Sequence, residues 1–340
     1  MAGMMIKKRV LLSDVASHAG LSKATVSRYL NNSIVLPQET IARIESAIAE
    51  LDYRGNSLAR RLSKGGSETL GLVLPDITNP FFAELADAAE EAAFEHGYSL
   101  VLCITRNNPE KETQFIRWLD TCQVDGLLFT TNRPDNGLLC REIQRHQRIV
   151  LLDEDIPGSK VPKVFADNVQ GGFIATQQLI AAGHQQIAFI GGPDELMSVR
   201  ERYQGFCTAL AQAGLHCPPE WVMYGEYQRE FGQQALHTLF SKAIRPTAIF
   251  AASDFLVLGL LDGLRELGLR APEDLSLVGF DDASYADFTQ PRISTIRQPA
   301  RELGRTAVSL MLRLLKGEEN VPAETRLPVT WIGRDSIQSR

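Results

Sequence analysis

Side chains able to grip a small polar molecule recur just past runs of apolar residues. Asp76, Asn79, Phe81 and Phe82 follow the run at 69–75. Asp153 ends the run at 148–152. Arg200 and Arg202 come after Gly191-Gly192, and Tyr227, Ser253, Asp254 and Asp281 close later runs. Carboxylates accept from pairs of hydroxyls and guanidinium groups donate in a planar fork, so this mixture suits a sugar-like ligand. Phe81 or Phe82 could lie on the apolar face of a sugar, although an aromatic at a helix start packs equally well in a core. A second set lies near the amino terminus. Gly20-Leu21 precede Ser22, and Lys23, Ser27 and Arg28 share the polar side of the short helix that Ser22 can cap. A short helix of that kind lies in the major groove with its first residues at base edges. The chain contains no G-x-G-x-x-G, P-loop, G-x-S-x-G or H-E-x-x-H pattern, so no enzyme, cofactor or metal is expected.

The elements that must position these residues divide the chain. In 11–51 the apolar spacing predicts three helices: one over 12–19, one over 23–30 facing inward with Val26 and Leu30, and one over about 37–51 with the stripe Ile41, Ile44, Ala47, Ile48 and Leu51. Pro37 is tolerable in the first turn of the third. Three short helices with a glycine turn between the first two make a helix-turn-helix. Residues 1–66 carry ten Lys/Arg and five Asp/Glu, a charge of +5, whereas the whole 340-residue chain is −6 and the remainder therefore −11. A basic head on an acidic body points to a polyanion met by the head alone.

From residue 69 the pattern changes. Strands are predicted at 69–75, 98–104, 125–130, 148–152, 186–191, 221–225, 247–251, 275–280 and 293–296, with a last one near 325–332. Amphipathic helices fall between most of them, ending with one over about 299–316. Short apolar strands between helices indicate parallel sheets covered on both faces. Two such sets make an α/β core of two doubly wound parallel-sheet lobes. Ligands bind such folds outside the carboxyl ends of the strands. His184, in Ala-Ala-Gly-His, reads as a structural residue at a helix end. The five cysteines are widely spaced, without a C-x-x-C pair, and read as buried or inert thiols.

The run Asp14-Val-Ala-x-x-Ala-Gly-Leu-Ser-Lys-Ala-Thr-Val-Ser-Arg28, then Asn31, then Leu51-Asp-Tyr53 resembles the headpiece of the LacI/GalR family of bacterial transcription regulators. In the core the resemblance continues through Asp76-Ile-Thr-Asn-Pro-Phe-Phe82, Gly183-His184, Arg202-x-x-Gly-Phe206, Ala252-Ser-Asp254 and Gly279-Phe-Asp-Asp282. It implies an all-α helix-turn-helix headpiece on a core resembling periplasmic binding proteins. It puts Lys23 and Ala24 at base-reading positions, Arg28 at the major-groove arginine, and Ser22, Thr25, Ser27 and Asn31 at phosphate-contacting or groove-facing positions. The segment 54–66 resembles the family's hinge helix, so Asn56 and Ser57 are expected to touch DNA and Leu62 to wedge between base steps. Gly55 stands where many relatives have proline. Arg202, Tyr227, Ser253 and Asp281 match effector-contacting positions.

The expected organisation is a DNA-binding domain over 1–53, a hinge over 54–66, and a core over 67–340. Lobe 1 of that core takes about 67–167 plus 297–326, and lobe 2 about 168–296 plus 327–340. The expected function is repression through a palindromic operator bound by a homodimer, with release by a small effector. Two runs, 57–69 and 80–91, resemble the branch of the family that controls 2-ketogluconate utilisation in pseudomonads. That resemblance and the pair Arg200 and Arg202 point to a sugar acid, most of all 2-ketogluconate. A neutral sugar, a purine, or a sugar-binding protein without a DNA role are the alternatives. No apolar run approaches the length of a membrane span, and Val10-Leu11-Leu12 is too short for a signal peptide core, so a cytoplasmic protein is expected.

Overall fold

The computed structural model describes residues 10–30, 33–53 and 66–340. The chain forms two compact units, dividing after Ser67.

Among its described residues the first unit is three helices, α1 (Leu12–Ala19), α2 (Lys23–Leu30) and α3 (Gln38–Glu50). Gly20 ends α1 in the left-handed region, φ 64°, where a side chain is disfavoured, and turns the chain into α2. Ser22 accepts from the Thr25 amide at 3.1 Å, capping α2 as its position predicts. Val15, Ala16, Ala19, Val26, Ile44 and Ala47 close a small core. Arg43 reaches back from α3 and donates to the Ala19 carbonyl at 2.6 Å, satisfying an end-of-helix acceptor. Pro37 sits just before α3 rather than inside its first turn.

The second unit holds two six-stranded sheets. Sheet one has the order β2-β1-β3-β4-β5-β11, with β1 (Thr69–Leu74), β2 (Ser99–Ile104), β3 (Gly126–Phe129), β4 (Ile149–Leu152), β5 (Lys163–Ala166) and β11 (Glu324–Leu327), every pair parallel. Sheet two has the order β7-β6-β8-β9-β10-β12, with β6 (Ile187–Gly191), β7 (Val222–Tyr224), β8 (Ala248–Ala251), β9 (Ser276–Asp281), β10 (Ser294–Arg297) and β12 (Thr330–Ile332). Only β12 runs antiparallel, against β10.

The central strands alternate their side chains between two cores. Leu70, Leu72 and Leu74 pack with helices α4 (Pro80–Glu95) and α11 (Ala300–Leu315), whereas Val73 points to the cluster of Ile116, Leu127, Phe129 and Ile149. Helices α5 (Pro109–Ile116) and α6 (Leu138–Ile143) border that second face. In sheet two, Ile190, Ala251 and Leu277 face helices α9 (Arg229–Phe240) and α10 (Asp254–Glu266), whereas Phe189, Phe250 and Phe280 face α7 (Asn168–Ala181) and α8 (Met197–Gln212). Helices α7 and α8 cross at glycines. A Cβ on Gly172 would meet the Arg202 carbonyl at 2.1 Å, and one on Gly205 the Val169 carbonyl at the same distance. That backbone approach fixes where α8 carries Arg202.

The structure departs from the sequence expectation at two strands. β5 was not foreseen: it is four residues long, and no helix separates it from β4. The single strand expected near 325–332 is two, broken at Pro328, which lacks the N–H a ladder needs. The break lets β11 complete sheet one and β12 complete sheet two. The chain passes from one sheet's lobe to the other three times, at 166–168, 297–300 and 327–330.

Candidate binding sites in the core and the head

Both sheets begin with the same order reversal: β1 lies between β2 and β3, and β6 between β7 and β8. At such a switch point the strand-end loops part and leave a crevice. The loops of both sheets meet around one chamber lined by Asn79, Phe81, Phe82, Asn132 and Asp153 from lobe 1, and by Ser198, Arg202, Tyr227, Ser253, Asp281 and Gln298. Its free volume is only about 30 Å³. An outer cavity of about 500 Å³ shares Asn79, Phe82, Asn132 and Tyr227 with it and adds Asp76, Arg106 and Glu226.

Arg202 is 3% exposed. Its Nε donates to Asn168 Oδ1 at 2.9 Å, its Nη1 to the Ala252 carbonyl at 2.6 Å, and its guanidinium lies 3.7 Å above the Phe280 ring. Neutral oxygens and a ring face hold it, which keeps its charge available to the chamber. Asp281, at the end of β9 with φ 115°, accepts from Ser253 Oγ at 2.8 Å and from Gln298 Nε2 at 2.8 Å. Burial raises its pKa, opposed by Arg202 and by these donors. Asp153 also lies in the left-handed region, φ 64°. Burial pushes its carboxyl up to about 6, with Arg202 pulling down and Asp281 pushing up. Its Oδ1 and Gln298 Oε1 are buried and find no hydrogen-bond partner among the described residues. Ser253 caps α10 by accepting from the Phe255 amide at 3.2 Å, and Asn79 caps α4 by accepting from the Phe81 amide at 3.0 Å. Phe81 and Phe82 meet edge to face at 5.1 Å. They belong to the lobe 1 core and also line the chamber.

Not every expected residue belongs here. Arg200 is exposed and lines neither cavity. Two residues apart on a helix, Arg200 and Arg202 cannot face the same way. Asp254 lines neither cavity either: it accepts from the Ala283 amide and from Thr295 Oγ1, both at 2.8 Å, and burial raises its pKa. Asp76 borders the outer cavity, its carboxylate turned onto Thr78. Asn132, Ser198 and Gln298 line the chamber without having been foreseen. Asn132 and Gln298 lie just past β3 and β10, where the strand-end rule points as well, and Ser198 lies in the first turn of α8, which follows β6. His184 is structural, its ring between Thr247 Oγ1 at 2.9 Å and the Gln338 carbonyl at 3.1 Å.

On the head, Lys23, Ala24 and Arg28 are exposed along α2, with Thr25 and Ser27 half-buried. Ser22 is exposed, its hydroxyl shared with Thr25 Oγ1 at 2.8 Å. Asn31, Asn56, Ser57, Leu62 and Gly55 lie outside the described residues. Among the described residues there is no group of three or more His, Cys, Asp or Glu placed to hold a metal ion, and no helix long and apolar enough to cross a membrane.

A helix-turn-helix unit ahead of a two-lobed α/β core with a polar chamber at its strand ends defines a DNA-binding regulator with a small-molecule receptor. Sequence profiles agree. Residues 11–56 match "Bacterial regulatory proteins, lacI family", and residues 67–335 match "Periplasmic binding proteins and sugar binding domain of LacI family". The HTH-type transcriptional repressor PurR of Photobacterium profundum is 33% identical over 91% of this chain and 93% of its own length. A lac repressor dimer bound to operator and an anti-inducer superimposes with a TM-score of 0.86 at 27% identity, over 97% of this chain and all of that one. The regulator CelR, in complex with cellobiose, gives 0.74 at 31% identity over 96% of this chain and all of its own. The chain belongs to the LacI family of transcriptional regulators, whose members bind operator DNA and a small effector and act as dimers.

Proposed function

We propose that this chain is a repressor that sits as a homodimer on an inverted-repeat operator and is released by a hydroxyl-rich sugar derivative, with 2-ketogluconate the first ligand to test. One observation carries the ligand class: three buried polar atoms of the chamber, the acceptors Asp153 Oδ1 and Gln298 Oε1 and the Tyr227 hydroxyl, lack partners beside Arg202 and Asp281. Unmatched buried acceptors favour a ligand that brings donors, and neighbouring sugar hydroxyls are donors that also accept from a guanidinium. The acid group of a sugar acid pairs well with a guanidinium. Arg200 does not supply a second one to the cavities, but Arg106 borders the outer cavity. The runs 57–69 and 80–91 further support 2-ketogluconate.

The inner chamber is far below the roughly 300–1,000 Å³ of ligand pockets, whereas the outer cavity falls within that range. A sugar therefore reaches Arg202 and Asp281 only as the lobes part. A ligand that binds one lobe arrangement better than the other shifts the population toward it, and the operator affinity shifts with it.

A purine is the second reading, favoured by the repressor named PurR among the relatives and by the aromatic rings of Phe82 and Tyr227 at the shared wall of the two cavities. Calorimetric titration of the full chain with 2-ketogluconate, gluconate, glucose, ribose and hypoxanthine separates them. The proposal expects the tightest binding from 2-ketogluconate, with release of a labelled inverted-repeat duplex at matching concentration. Heat from hypoxanthine or ribose, with none from either sugar acid, overturns the effector.

A further inference from the structure

Helix α8 lacks a cap of its own. The residue before it is Leu196, which has no side-chain acceptor to offer the first amides. The acceptor comes from elsewhere. Glu154, in the loop after β4 of the other lobe, is 2% exposed. Its Oε1 accepts from the Met197 amide at 2.5 Å, and its Oε2 accepts from the Ser198 amide at 3.2 Å and from Ser198 Oγ at 2.7 Å. The carboxylate of one lobe thus stands at the positive end of a helix in the other. That helix carries Arg202, and Glu154 directly follows Asp153, so the contact joins two chamber residues by their backbones.

We propose that Glu154 is a positioning residue that latches the lobes together, capping α8 across the cleft so that parting the lobes strips this helix of its acceptor. The proposal rests on the reading of the core as a receptor whose lobes move, and it concerns regulation of that same chamber. The latch acts through α8 and the Asp153 turn and does not itself line either cavity. A second bridge, Arg326 on β11 to Glu201 on α8 at 2.7 and 2.8 Å, joins the same lobes but lies toward solvent. A partly exposed ion pair of that sort contributes little, so the buried cap is the stronger tie.

The latch is sensitive to protons. Burial pushes the Glu154 carboxyl up to about 7, with Asp153 beside it pushing the same way and the Ser198 and Met197 donors opposing. The other ionisable groups near it are the Tyr227 phenol and, through Asp153, Arg202. When the lobes part and water reaches the carboxyl, its pKa falls toward the ordinary range. Closure therefore takes up a proton, and closed lobes are favoured as pH falls through about 7.

Amide hydrogen exchange on the full chain without ligand tests this independently of effector identity. Glu154→Ala is expected to speed exchange of the 195–201 segment at least tenfold, corrected for intrinsic rates, and to expose the loop at 130–133 in lobe 1, leaving α9 unchanged. Ser198→Ala, made from the opposite lobe, should reproduce part of the effect. Glu154→Gln keeps an acceptor and should retain most of the protection, but lose the rise in protection that the unaltered chain shows between pH 8 and pH 6. Arg326→Ala should change the segment less than threefold. Unchanged exchange in both Glu154→Ala and Ser198→Ala overturns the latch. So does faster exchange confined to 195–201 with the 130–133 loop unaltered, or a response between pH 8 and pH 7, above the range in which Asp153 titrates, that persists in Glu154→Gln.

Discussion

The head and the chamber solve recognition in opposite ways. At the start of α2 the groups that would meet a ligand are exposed or half-buried, close together in sequence from Ser22 to Arg28, and supported by a core of six small or medium apolar residues. The chamber gathers residues from position 79 to position 298, most of them buried, and sets a cation and two carboxylates close enough to perturb one another. An exposed surface works by adding contacts to an outside partner. A buried constellation has already been desolvated, and its unmatched atoms define which partner is accepted. A substitution on the head should therefore cost one contact, whereas one in the chamber should cost the whole response.

The largest effect is expected from Arg202→Ala. It removes the cation that offsets Asp153 and Asp281, so effector affinity should fall at least 100-fold by calorimetry, and the operator complex should no longer dissociate when effector is added. Normal release by this variant would take Arg202 out of the site. Next comes Gly172→Ala. The new Cβ cannot fit against the Arg202 carbonyl, so α7 and α8 must separate, at a cost of about 2–4 kcal/mol in a urea melt. Loss of effector affinity should accompany it. On the head, Arg28→Ala should cost about 1–3 kcal/mol of operator affinity and flatten the preference for operator over scrambled duplex, as expected for a base-reading side chain. An equal loss on both duplexes would make Arg28 a phosphate contact instead.

The smallest of the four is a pH effect that the chamber should show and the head should not. Asp153 has an ordinary pKa near 3.8 in the unfolded chain and is pushed to about 6 in the core. Between those values the folded state binds the extra proton, so this contribution to stability is fully present below about pH 4 and is lost as pH rises through about 6. Asp153→Asn should flatten the decline in core stability between pH 4 and pH 7, on the order of 2 kcal/mol by urea unfolding. A decline of the same size in the variant would assign it to other groups.

The same contrast explains what could be read in advance. The head was legible because its helix spacing, its glycine turn and its groove-facing residues are contiguous, and Ser22, Gly20 and Val26 do what their positions predict. The alternation of strands and helices gave the two lobes, since strands buried on both faces are runs of apolar residues. β5 escaped because Lys163-Val-Phe-Ala is too short to stand out and has no helix before it. Arg200 and Arg202 are near in sequence but face different ways on α8, so only Arg202 reaches the chamber. Asp254 looked like a ligand contact, but the deciding partners, Ala283 and Thr295, are far away in the chain. Glu154 offered no local signal at all: its role depends on Met197 and Ser198, more than forty residues later and in the other lobe.

The central claim is that the chamber controls the head. It is tested most directly by fluorescence anisotropy of a labelled inverted-repeat duplex with the intact protein, titrated with 2-ketogluconate and repeated with Arg202→Ala. The account predicts saturable loss of the complex with the unaltered chain and none with the variant. Binding of the inverted repeat no tighter than a scrambled duplex, or equal release from both proteins, would contradict it.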